Sequence, residues 1–571
     1  MKDTPLYDVR RISDLKEMLA GSVAEFGDAA AFLRKKDPAA AYEPVSFRQF
    51  QSDVDAFGTA LLALGQQGQR IAVIGENQYA WVTTYLAVVN GVGIIVPIDR
   101  ELPEEEIIRC LRRAQVRTVV FAESKREAMH AIAGKIDFID HWIDMGLAAD
   151  ANGFKAFAGL LARGHDRVAS GCRDYVEAAL DATAVSILLF TSATTSEAKV
   201  VQLSHRNLCE NLMAVMSTVR LGPGDIALSI LPIHHTYECT CGFLCVVYSG
   251  ATVAFCDGLR HIPRNLKESG CTMMIVVPLV LETMYKRIWA EAEKKGAAGK
   301  LRRALTVSNG LRRIGIDLRR RLFKPVLENL SPGLRMFICG AAALNPQVAK
   351  GFRDFGISTL QGYGLTECSP LVAGNRDRAC KNDAAGLPLP GIDVRIQQPG
   401  SEGVGEIVVK GPSVMVGYYE QPEETARVFT ADGYFRTGDL GYIDSDGFVY
   451  ITGRAKNVII AKNGRNVYPE ELEALINRNP YVQECMVYAK PAPKDQNDVI
   501  VAAEIVPAME FINETHGAPA AEEIAGLIRK AVREANRQLP AYKHISDIHI
   551  RETEFIKTTT KKIKRHMEKP A

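Results

Sequence analysis

The feature that most constrains this fold is the alternation of amphipathic helical segments with short apolar runs. Residues 15–26 and 46–64 have helical periodicity, whereas the runs at 70–75, 93–97 and 117–121 are rich in β-branched residues. Strands that are apolar throughout are typical of a parallel sheet with helices on both faces. The sequence therefore predicts a large α/β body built from βα layers.

The pattern changes after about residue 390, where short strand patterns are separated by Gly and Asp turns. Residues 403–410 and 444–450 are examples, and they predict a β-rich subdomain. The elements predicted after it are a helix from 468, strands at 484–489 and 499–505, and a helix at 521–538. The predicted fold class is therefore α/β, with a large N-terminal body, a β-rich subdomain and a smaller mobile α+β C-terminal domain.

Composition excludes several classes of protein. The 571 residues are 47% hydrophobic and 24% charged, which is typical of a globular protein and not of a disordered, collagen-like or coiled-coil chain. The net charge of +2 gives no general attraction to nucleic acid, so no nucleic-acid partner is predicted. Twelve irregularly spaced cysteines, with no recognisable signal peptide, favour a cytoplasmic location.

The most apolar stretch, residues 81–97, is interrupted by polar residues and glycines. It is too short and too polar for a transmembrane helix, so no membrane span is predicted. Peripheral contact with a membrane stays open.

A hydroxyl-rich loop follows the apolar run at 185–190. Residues 191–199 read Thr-Ser-Ala-Thr-Thr-Ser-Glu-Ala-Lys, and a helix is predicted to begin near His205. The hydroxyls, the backbone N–H groups, the electropositive helix N-terminus and the charge of Lys199 all suit a phosphate. The alternative is a polar surface turn.

Residues 361–367 read Gln-Gly-Tyr-Gly-Leu-Thr-Glu. The glycines let the backbone approach a ligand, the tyrosine suits stacking on a base, the threonine suits donation to phosphate, and the glutamate suits Mg2+. The alternative is a tight turn with a buried tyrosine. Further along, Asp439 suits the two hydroxyls of a ribose, and Arg454 suits a phosphate.

Taken in order, these segments resemble the adenylate-forming superfamily of acyl-CoA synthetases, peptide-synthetase adenylation domains and luciferases. The resemblance runs from about residue 25 to the C-terminus. It also includes Leu-Pro-Ile-His-His at 231–235, Gly-Ala-Ala-Ala-Leu at 340–344 and the basic tail at 557–565. Residues 231–238, 277–282 and 320–323 are most similar to long-chain fatty acyl-CoA synthetases.

The resemblance implies an AMP-forming acid–thiol ligase that uses ATP, Mg2+ and CoA. A fatty acid carboxylate attacks the α-phosphate of ATP, which gives an acyl-adenylate and pyrophosphate, and the CoA thiol then displaces AMP. A carboxylate resists attack by a thiol, whereas the mixed anhydride has a good leaving group. The protein mainly positions the reactants and neutralises charge.

The resemblance also implies residue roles. Lys562 bridges the carboxylate and the α-phosphate as the main catalytic cation, and His235 lies beside the acyl pocket, with Thr366 and Glu367 completing the catalytic set. The nucleotide contacts are Thr191, Ser192, Thr194, Thr195, Lys199, Gly340, Ala341, Ala342, Gly362, Tyr363, Gly364, Thr366, Asp439 and Arg454. The metal contacts are Thr194 and Glu367. Further acyl contacts are Gly242, Phe243, Val277, Pro278 and Leu279.

The implied domains are an N-terminal ATP- and acyl-binding body at 1–452, a hinge at 453–458 and a mobile cap at 459–571. Lys456 is the hinge residue, about which the cap rotates between the two half-reactions.

This chain departs from the family pattern in the phosphate loop. Ala193, Ser196, Ala198 and Val200 stand where three glycines and a proline are usual. These four replacements leave open a pseudoenzyme that binds nucleotide or fatty acid without turnover. The resemblance to the superfamily leaves open a second alternative, an enzyme that loads the phosphopantetheine of an acyl carrier protein. Lys561 remains an alternative to Lys562, because the family usually has Gly just before the catalytic lysine.

Overall fold

The computed structural model describes residues 4–191, 199–460, 465–492, 495–558, 562–565 and 567–568. The chain divides into two compact units. The first comprises Met1–Asp393 and Lys410–Gly433, and the second comprises Val394–Val409 and Tyr434–Ala571. The predicted hinge at 453–458 falls inside the second unit, and its role as a hinge stays a prediction.

The first unit contains two large sheets, a nine-stranded one and an eight-stranded one. Six neighbouring strands of the nine-stranded sheet run parallel, and the outer strands at both edges pair antiparallel. In spatial order its strands are Leu387–Pro388, Leu371–Gly374, Ser358–Gly364, Met336–Cys339, Met273–Val276, Ile226–Ser229, Thr252–Phe255, Ala30–Arg34 and Glu43–Ser46.

The eight-stranded sheet is also largely parallel, which confirms the α/β class. Its strands, in spatial order, are Gly417–Tyr418, Val200–Ser204, Val185–Phe190, Ile94–Ile98, Arg70–Ile74, Thr118–Phe121, His141–Asp144 and Phe154–Ala156. Strands buried on both faces explain the continuous apolar runs of the sequence.

The predicted helices at 15–26 and 46–64 are confirmed as Leu15–Phe26 and Phe47–Ala63. Each begins at a residue whose side chain caps the helix, because Asp14 accepts from the Glu17 N–H and Ser46 from the Gln49 N–H. The other α-helices of the first unit are Tyr79–Ala87, Glu104–Arg113, Arg126–Ala133, Phe157–Ala169, His205–Met216, Cys245–Tyr248, Ile262–Glu268, Pro278–Lys294, Ala298–Arg313, Arg319–Leu322, Lys324–Leu330, Pro346–Asp354 and Pro422–Arg427.

One prediction about the phosphate loop is wrong. The helix at His205 was predicted to begin next to the loop, but the strand Val200–Ser204 intervenes and pairs antiparallel with Val185–Phe190. The loop is therefore the turn of a hairpin. Ser204, which caps the helix, lies opposite Val185 at the other end of that hairpin. The helix N-terminus is about 15 Å of strand away from Lys199, the described residue at the end of the loop.

The second unit confirms the β-rich segment and the α+β segment. A sheet of four strands comprises Asp393–Gln397, Gly405–Lys410, Phe435–Ile443 and Val449–Arg454, and a second sheet of three comprises Val482–Ala492, Asp495–Pro507 and Ile545–Ile550. The short strands Ile459–Ile460 and Asn466–Val467 pair with each other. The α-helices are Pro469–Ile476, Met509–His516 and Ala521–Asn536.

Among the described residues, no helix combines the length and apolar character needed to cross a membrane. All twelve cysteines lie in described parts of the chain and are free thiols, nine of them buried.

Candidate functional site

Four neighbouring parallel strands of the nine-stranded sheet end at one edge. They are Ile226–Ser229, Met273–Val276, Met336–Cys339 and Ser358–Gly364, and the pairing is in parallel register throughout. The segments predicted to bind the acyl group and the nucleotide follow the first three strands at 231–235, 277–279 and 340–344, and the segment 361–367 comprises the end of the fourth strand and the residues after it. Ligands of open parallel sheets bind outside the carboxyl ends of strands, so the structure brings these segments to the edge where such a site is expected.

Gly340 is fixed by a close contact. A Cβ at this position would lie 2.8 Å from Cζ of Tyr237, whose hydroxyl donates to the Ile338 carbonyl at 3.0 Å. Ala341 follows with φ of 74°, a conformation that costs a non-glycine residue about 1 kcal/mol. These contacts therefore fix the conformation of the backbone at 340–342. A backbone of fixed conformation suits contact with a flat ring.

The segment 361–367 is held from both sides. The Gln361 side chain accepts from the Leu344 N–H at 3.1 Å and donates to the Asn382 carbonyl at 2.5 Å. A Cβ at Gly364 would lie 2.1 Å from the Pro370 carbonyl oxygen, so only glycine fits. A 3-10 turn begins at Thr366, two residues after this glycine. Tyr363 and Thr366 are both half-buried at the strand end.

Glu367 belongs to a small polar group that includes residues distant in sequence. The Tyr418 hydroxyl donates to Glu367 Oε1 at 3.0 Å. The ammonium of Lys199 lies 4.7 Å from the centre of the Tyr418 ring and 3.3 Å from Glu424 Oε2. Burial, followed by the charge of Glu367, raises the pKa of the Tyr418 hydroxyl. Glu367 has one hydrogen-bond donor and no ion pair among the described residues.

The phosphate loop is described only at its ends. The N–H of Thr191 donates to the Lys199 carbonyl at 3.0 Å, which closes the hairpin. Ser192, Thr194 and Thr195, predicted to contact phosphate, lie outside the described residues, as do Ala193, Ser196 and Ala198. Lys199 is therefore the one predicted charge of the loop that the structure places.

The segment that carries His235 is fastened by buried polar groups. Asn77 donates to the Leu231 carbonyl at 2.6 Å and accepts from the Ile233 N–H at 3.1 Å. The ring of His234 lies 4.3 Å from that of His235. Just beyond, Glu238 Oε1 accepts from Ser229 Oγ at 2.6 Å. Burial raises the pKa of Glu238 to about 8, so this carboxyl is mostly neutral at pH 7.

An apolar cavity lies against the central strands of the nine-stranded sheet. Its lining residues are Val215, Met216, Thr218, Val219, Leu221, Cys241, Cys245, Met273, Met336, Ile338, Leu360, Gln361, Gly362, Leu371, Gly374, Asn375 and Leu389. Gly362 therefore belongs to both the predicted nucleotide segment and the cavity wall. Phe243, predicted to contact the acyl group, is instead a core residue, because it is fully buried among Phe32, Phe50 and Tyr85.

In the second unit, Asp439 and Arg454 face each other across two antiparallel strands. Arg454 Nε lies 2.8 Å from Asp439 Oδ1, and Arg454 Nη1 donates to the Thr437 carbonyl at 3.2 Å. Thr437 Oγ1 in turn accepts from the Asp439 N–H at 3.0 Å. The sequence motif Thr-Gly-Asp thus positions the carboxylate, which is buried, whereas the arginine side chain is 43% exposed.

Lys562 lies close to this pair. The residue is exposed, yet its amine has enough atoms around it that desolvation, followed by the charge of Arg454, lowers its pKa, whereas Asp439 raises it. The same two causes lower the pKa of Lys456. Two predicted lysines and two predicted nucleotide contacts are therefore electrostatic neighbours within one unit.

The tail that carries Lys562 is anchored on both sides. Lys557 and Ile563 pair as an antiparallel bridge, and the Lys562 N–H donates to Thr558 Oγ1 at 3.1 Å. Phe555 is buried against Met486 and Val506, and Arg565 forms an ion pair with Glu473. Lys561, the alternative in register, lies outside the described residues.

Sequence reasoning missed Tyr418 and Glu424. Both contact predicted residues, but they come from a two-residue strand and from the first turn of a six-residue helix. Neither element carries a local motif, so only the pairing of Gly417–Tyr418 with Val200–Ser204 brings them to the loop.

Comparison with known proteins gives a consistent result along the chain. A sequence profile described as AMP-binding enzyme matches residues 19–419, and one described as AMP-binding enzyme C-terminal domain matches residues 471–562. The first match alone covers more than half of the 571 residues.

Individual relatives differ in the acid that their names specify. The chain is 26% identical over 573 residues to the long-chain-fatty-acid–CoA ligase FadD15 of Mycobacterium bovis, with 91% of this chain and 90% of the relative covered. It is 28% identical over 465 residues to the feruloyl-CoA synthase of an Amycolatopsis species, with 79% and 81% covered. The solved structure of the anthranilate CoA ligase AuaEII with anthranoyl-AMP superposes with a TM-score of 0.76 at 19% identity, covering 99% and 97%, which shows a common fold.

Proposed function

The chain belongs to the AMP-binding enzyme family of adenylate-forming acyl-CoA ligases, and from this premise we propose that it activates a long-chain fatty acid with ATP and transfers the acyl group to CoA. AMP and pyrophosphate are the other products. A cytoplasmic location stays a prediction.

One observation carries the proposal. In the first unit, the Gly340–Ala342 backbone and the Tyr363–Glu367 segment leave the ends of adjacent parallel strands, and Gly362 also lines the apolar cavity. A ligand with a polar nucleotide part and an apolar acyl part, such as an acyl-adenylate, matches that arrangement. Tyr363 and the 340–342 backbone are assigned to adenine, and Thr366 to the α-phosphate.

The cavity has a volume of about 30 Å³, far less than a long acyl chain fills, so its wall supports the aliphatic character of the acid and not its length. Val, Met, Leu, Ile and Cys side chains form most of it, and the polar side chains are Thr218, Gln361 and Asn375. No charged side chain lies among these lining residues, so a second carboxylate on the acyl chain has no counter-charge there. The relative FadD15, whose name specifies long-chain fatty acids, is consistent with this assignment.

In the proposed first step, a carboxylate oxygen of the fatty acid forms a bond to the α-phosphorus, and the bond to the bridging oxygen of pyrophosphate breaks. Both reactants are anionic, so the step needs a cation between them. Lys562 is assigned this role. A desolvated ammonium interacts more strongly with phosphate than a hydrated one does, and the desolvation that lowers the pKa of Lys562 fits the assignment.

Glu367 suits Mg2+. Its Oε1 accepts from Tyr418, which leaves Oε2 available, and a single carboxylate completed by phosphate oxygens is a normal Mg2+ environment. When bound, the ion offsets the charge of the phosphates. Thr194, the second predicted metal contact, lies outside the described residues.

In the second step the CoA sulfur attacks the acyl carbon and AMP leaves. His235, held by the Asn77 and His234 contacts, is assigned to the acyl side of the site. Lys456 keeps its proposed role as the hinge. Asp439 is assigned to the ribose hydroxyls and Arg454 to ribose or phosphate.

The test is thioester formation by the purified chain with ATP, Mg2+ and a panel of acids, with CoA, with a phosphopantetheinyl carrier protein, and with neither. We expect acyl-CoA from saturated long-chain acids in preference to ferulate or anthranilate. Transfer to the carrier protein but not to CoA would identify the carrier-loading alternative. ATP binding without pyrophosphate release from any acid would identify the pseudoenzyme.

A further inference from the structure

One short segment has a charge that the rest of the chain does not share. Residues 298–324 contain nine of the 69 Lys and Arg residues and one of the 67 Asp and Glu residues. The segment therefore has a formal charge of +8, whereas the whole chain has +2, so the remaining residues are net acidic. It comprises the helices Ala298–Arg313 and Arg319–Leu322 and the start of Lys324–Leu330.

The helix Ala298–Arg313 has one face inside the protein. Leu301, Ala304 and Leu305 pack against the core cluster that contains Phe323 and Leu327. These contacts hold the helix in place and fix which face is outside.

The opposite face combines cations with aliphatic side chains. Lys300, Arg303 and Val307 follow the helical spacing, and Ile314 continues the same face after the last turn. Val307 is 58% exposed and Ile314 is 71% exposed, although branched aliphatic side chains are normally buried. Arg313 flanks this row. We call these five residues the basic apolar face.

The cations of the basic apolar face differ from two neighbouring arginines of the segment, which stabilise the local structure. Arg319 pairs with Asp317 at 2.6 Å, and Arg320 donates to the Leu334 and Pro332 carbonyls, so these two stabilise local structure. Lys300, Arg303 and Arg313 form no ion pair with any described residue.

We propose that the basic apolar face binds an anionic lipid bilayer. A helix that presents Lys and Arg around exposed aliphatic side chains lies in a membrane interface, with its apolar groups among the acyl chains and its cations at the anionic headgroups. Nucleic acid fits less well, because single-strand sites add aromatic stacking and the only aromatic residue of 298–324, Phe323, is buried. This inference is independent of which acid the enzyme activates.

The test is sedimentation of the full chain with vesicles of phosphatidylcholine alone and of phosphatidylcholine with phosphatidylglycerol, at low and high salt. We expect binding to the anionic vesicles to exceed binding to the neutral ones about tenfold and to weaken with salt. Equal binding to both vesicles, or binding to neither, would overturn the proposal.

Two variants locate the contact. Arg303→Glu with Arg313→Glu should lower anionic-vesicle binding about tenfold or more. The matched control, Arg163→Glu with Arg167→Glu, changes the net charge equally on the helix Phe157–Ala169 and should bind like the wild type. Equal losses in both pairs would show a general charge effect and contradict a specific face. Circular dichroism verifies that each variant is folded.

A second pair of variants tests the contribution of the aliphatic side chains to vesicle binding. Ile314→Asp should weaken vesicle binding even at high salt, whereas Leu259→Asp, at a side chain 62% exposed elsewhere in the first unit, should not. Binding to polyuridylate tighter than to the anionic vesicles, and unaffected by Ile314→Asp, would assign the face to nucleic acid instead.

Discussion

The strand ends of the first unit and the Asp439–Arg454–Lys562 cluster of the second position functional residues by different means. At the strand ends, an added Cβ would collide with the Pro370 backbone at Gly364 and with the Tyr237 ring at Gly340. In the cluster, an ion pair at 2.8 Å joins Arg454 to Asp439, and both charges act on the pKa of Lys562. The strand ends thus provide a backbone surface of fixed shape, and the cluster provides charged side chains. A reaction between two anions needs both.

The comparison predicts that charge changes in the cluster affect rate, whereas volume changes at the strand ends affect stability. The following variants test the two halves in turn.

Lys562→Ala should have the largest effect. Loss of the cation is expected to slow adenylate formation about 10²- to 10³-fold. Thioester formation from supplied acyl-adenylate should stay near the wild-type rate, which single-turnover assays of each half-reaction measure. Lys564→Ala, two residues away in the same basic run, is the control. A large loss of adenylate formation in Lys561→Ala, together with a normal rate in Lys562→Ala, would assign the catalytic role to Lys561.

Arg454→Met should slow adenylation about ten- to hundredfold, because a charged hydrogen-bonding group is lost. It should also change the pH profile. A lysine that acts in its protonated form loses activity as the pH rises through its pKa, and the charge of Arg454 lowers the pKa of Lys562. Removal of that charge should therefore move the alkaline loss of activity to higher pH.

The matched variant Arg454→Lys keeps the positive charge. Its alkaline limb should stay near that of the wild type, even if its rate falls. Identical limbs in Arg454→Met and wild type would contradict the electrostatic coupling between Arg454 and Lys562.

Gly364→Ala tests the close packing at the strand ends of the first unit. Its Cβ would lie 2.1 Å from a backbone oxygen, so the strand end must shift, at a cost of about 1–3 kcal/mol in the free energy of unfolding. Thermal unfolding followed by circular dichroism measures this cost. Gly310→Ala is the control, because no atom lies within 4 Å of its added Cβ, and a glycine inside a helix that is replaced by alanine should gain about 0.5–1 kcal/mol. Equal free energies of unfolding in both variants would show that the strand end shifts without measurable cost, which would contradict the prediction.

Tyr418→Phe should have the smallest effect. It removes one hydrogen bond to Glu367 and keeps the ring over which Lys199 lies. A hydrogen bond to a charged group contributes about 1.5–3 kcal/mol, but only the part that differs between the Mg2+-free and Mg2+-bound carboxylate affects Mg2+ affinity, so the Mg2+ concentration for half-maximal activity should change only a few-fold. Measurement of rate against Mg2+ at saturating ATP tests this, and loss of all activity would assign Tyr418 a direct role in the reaction.

Much of this molecule follows from local sequence. Helical periodicity located Leu15–Phe26, and continuous apolar runs located the parallel strands. The ordered motifs indicated Tyr363, Asp439 and Lys562. Each of these residues lies in a short segment where glycines or cations stand at the spacing of the motif.

What the sequence did not reveal depends on pairing between distant segments. The strand Val200–Ser204 is too short to separate from the loop before it, so the helix at His205 was placed too close to the phosphate loop. The contact of Tyr418 with Glu367 joins residues 51 positions apart, and no motif marks it. Phe243 resembled a pocket residue because apolar core and apolar pocket have the same composition.

The central claim is that this chain forms an acyl-adenylate, and exchange of labelled pyrophosphate into ATP in the absence of CoA tests it most directly. We predict exchange that requires both Mg2+ and a long-chain fatty acid and that falls to background in Lys562→Ala. ATP binding by calorimetry without acid-dependent exchange from any acid would contradict the claim.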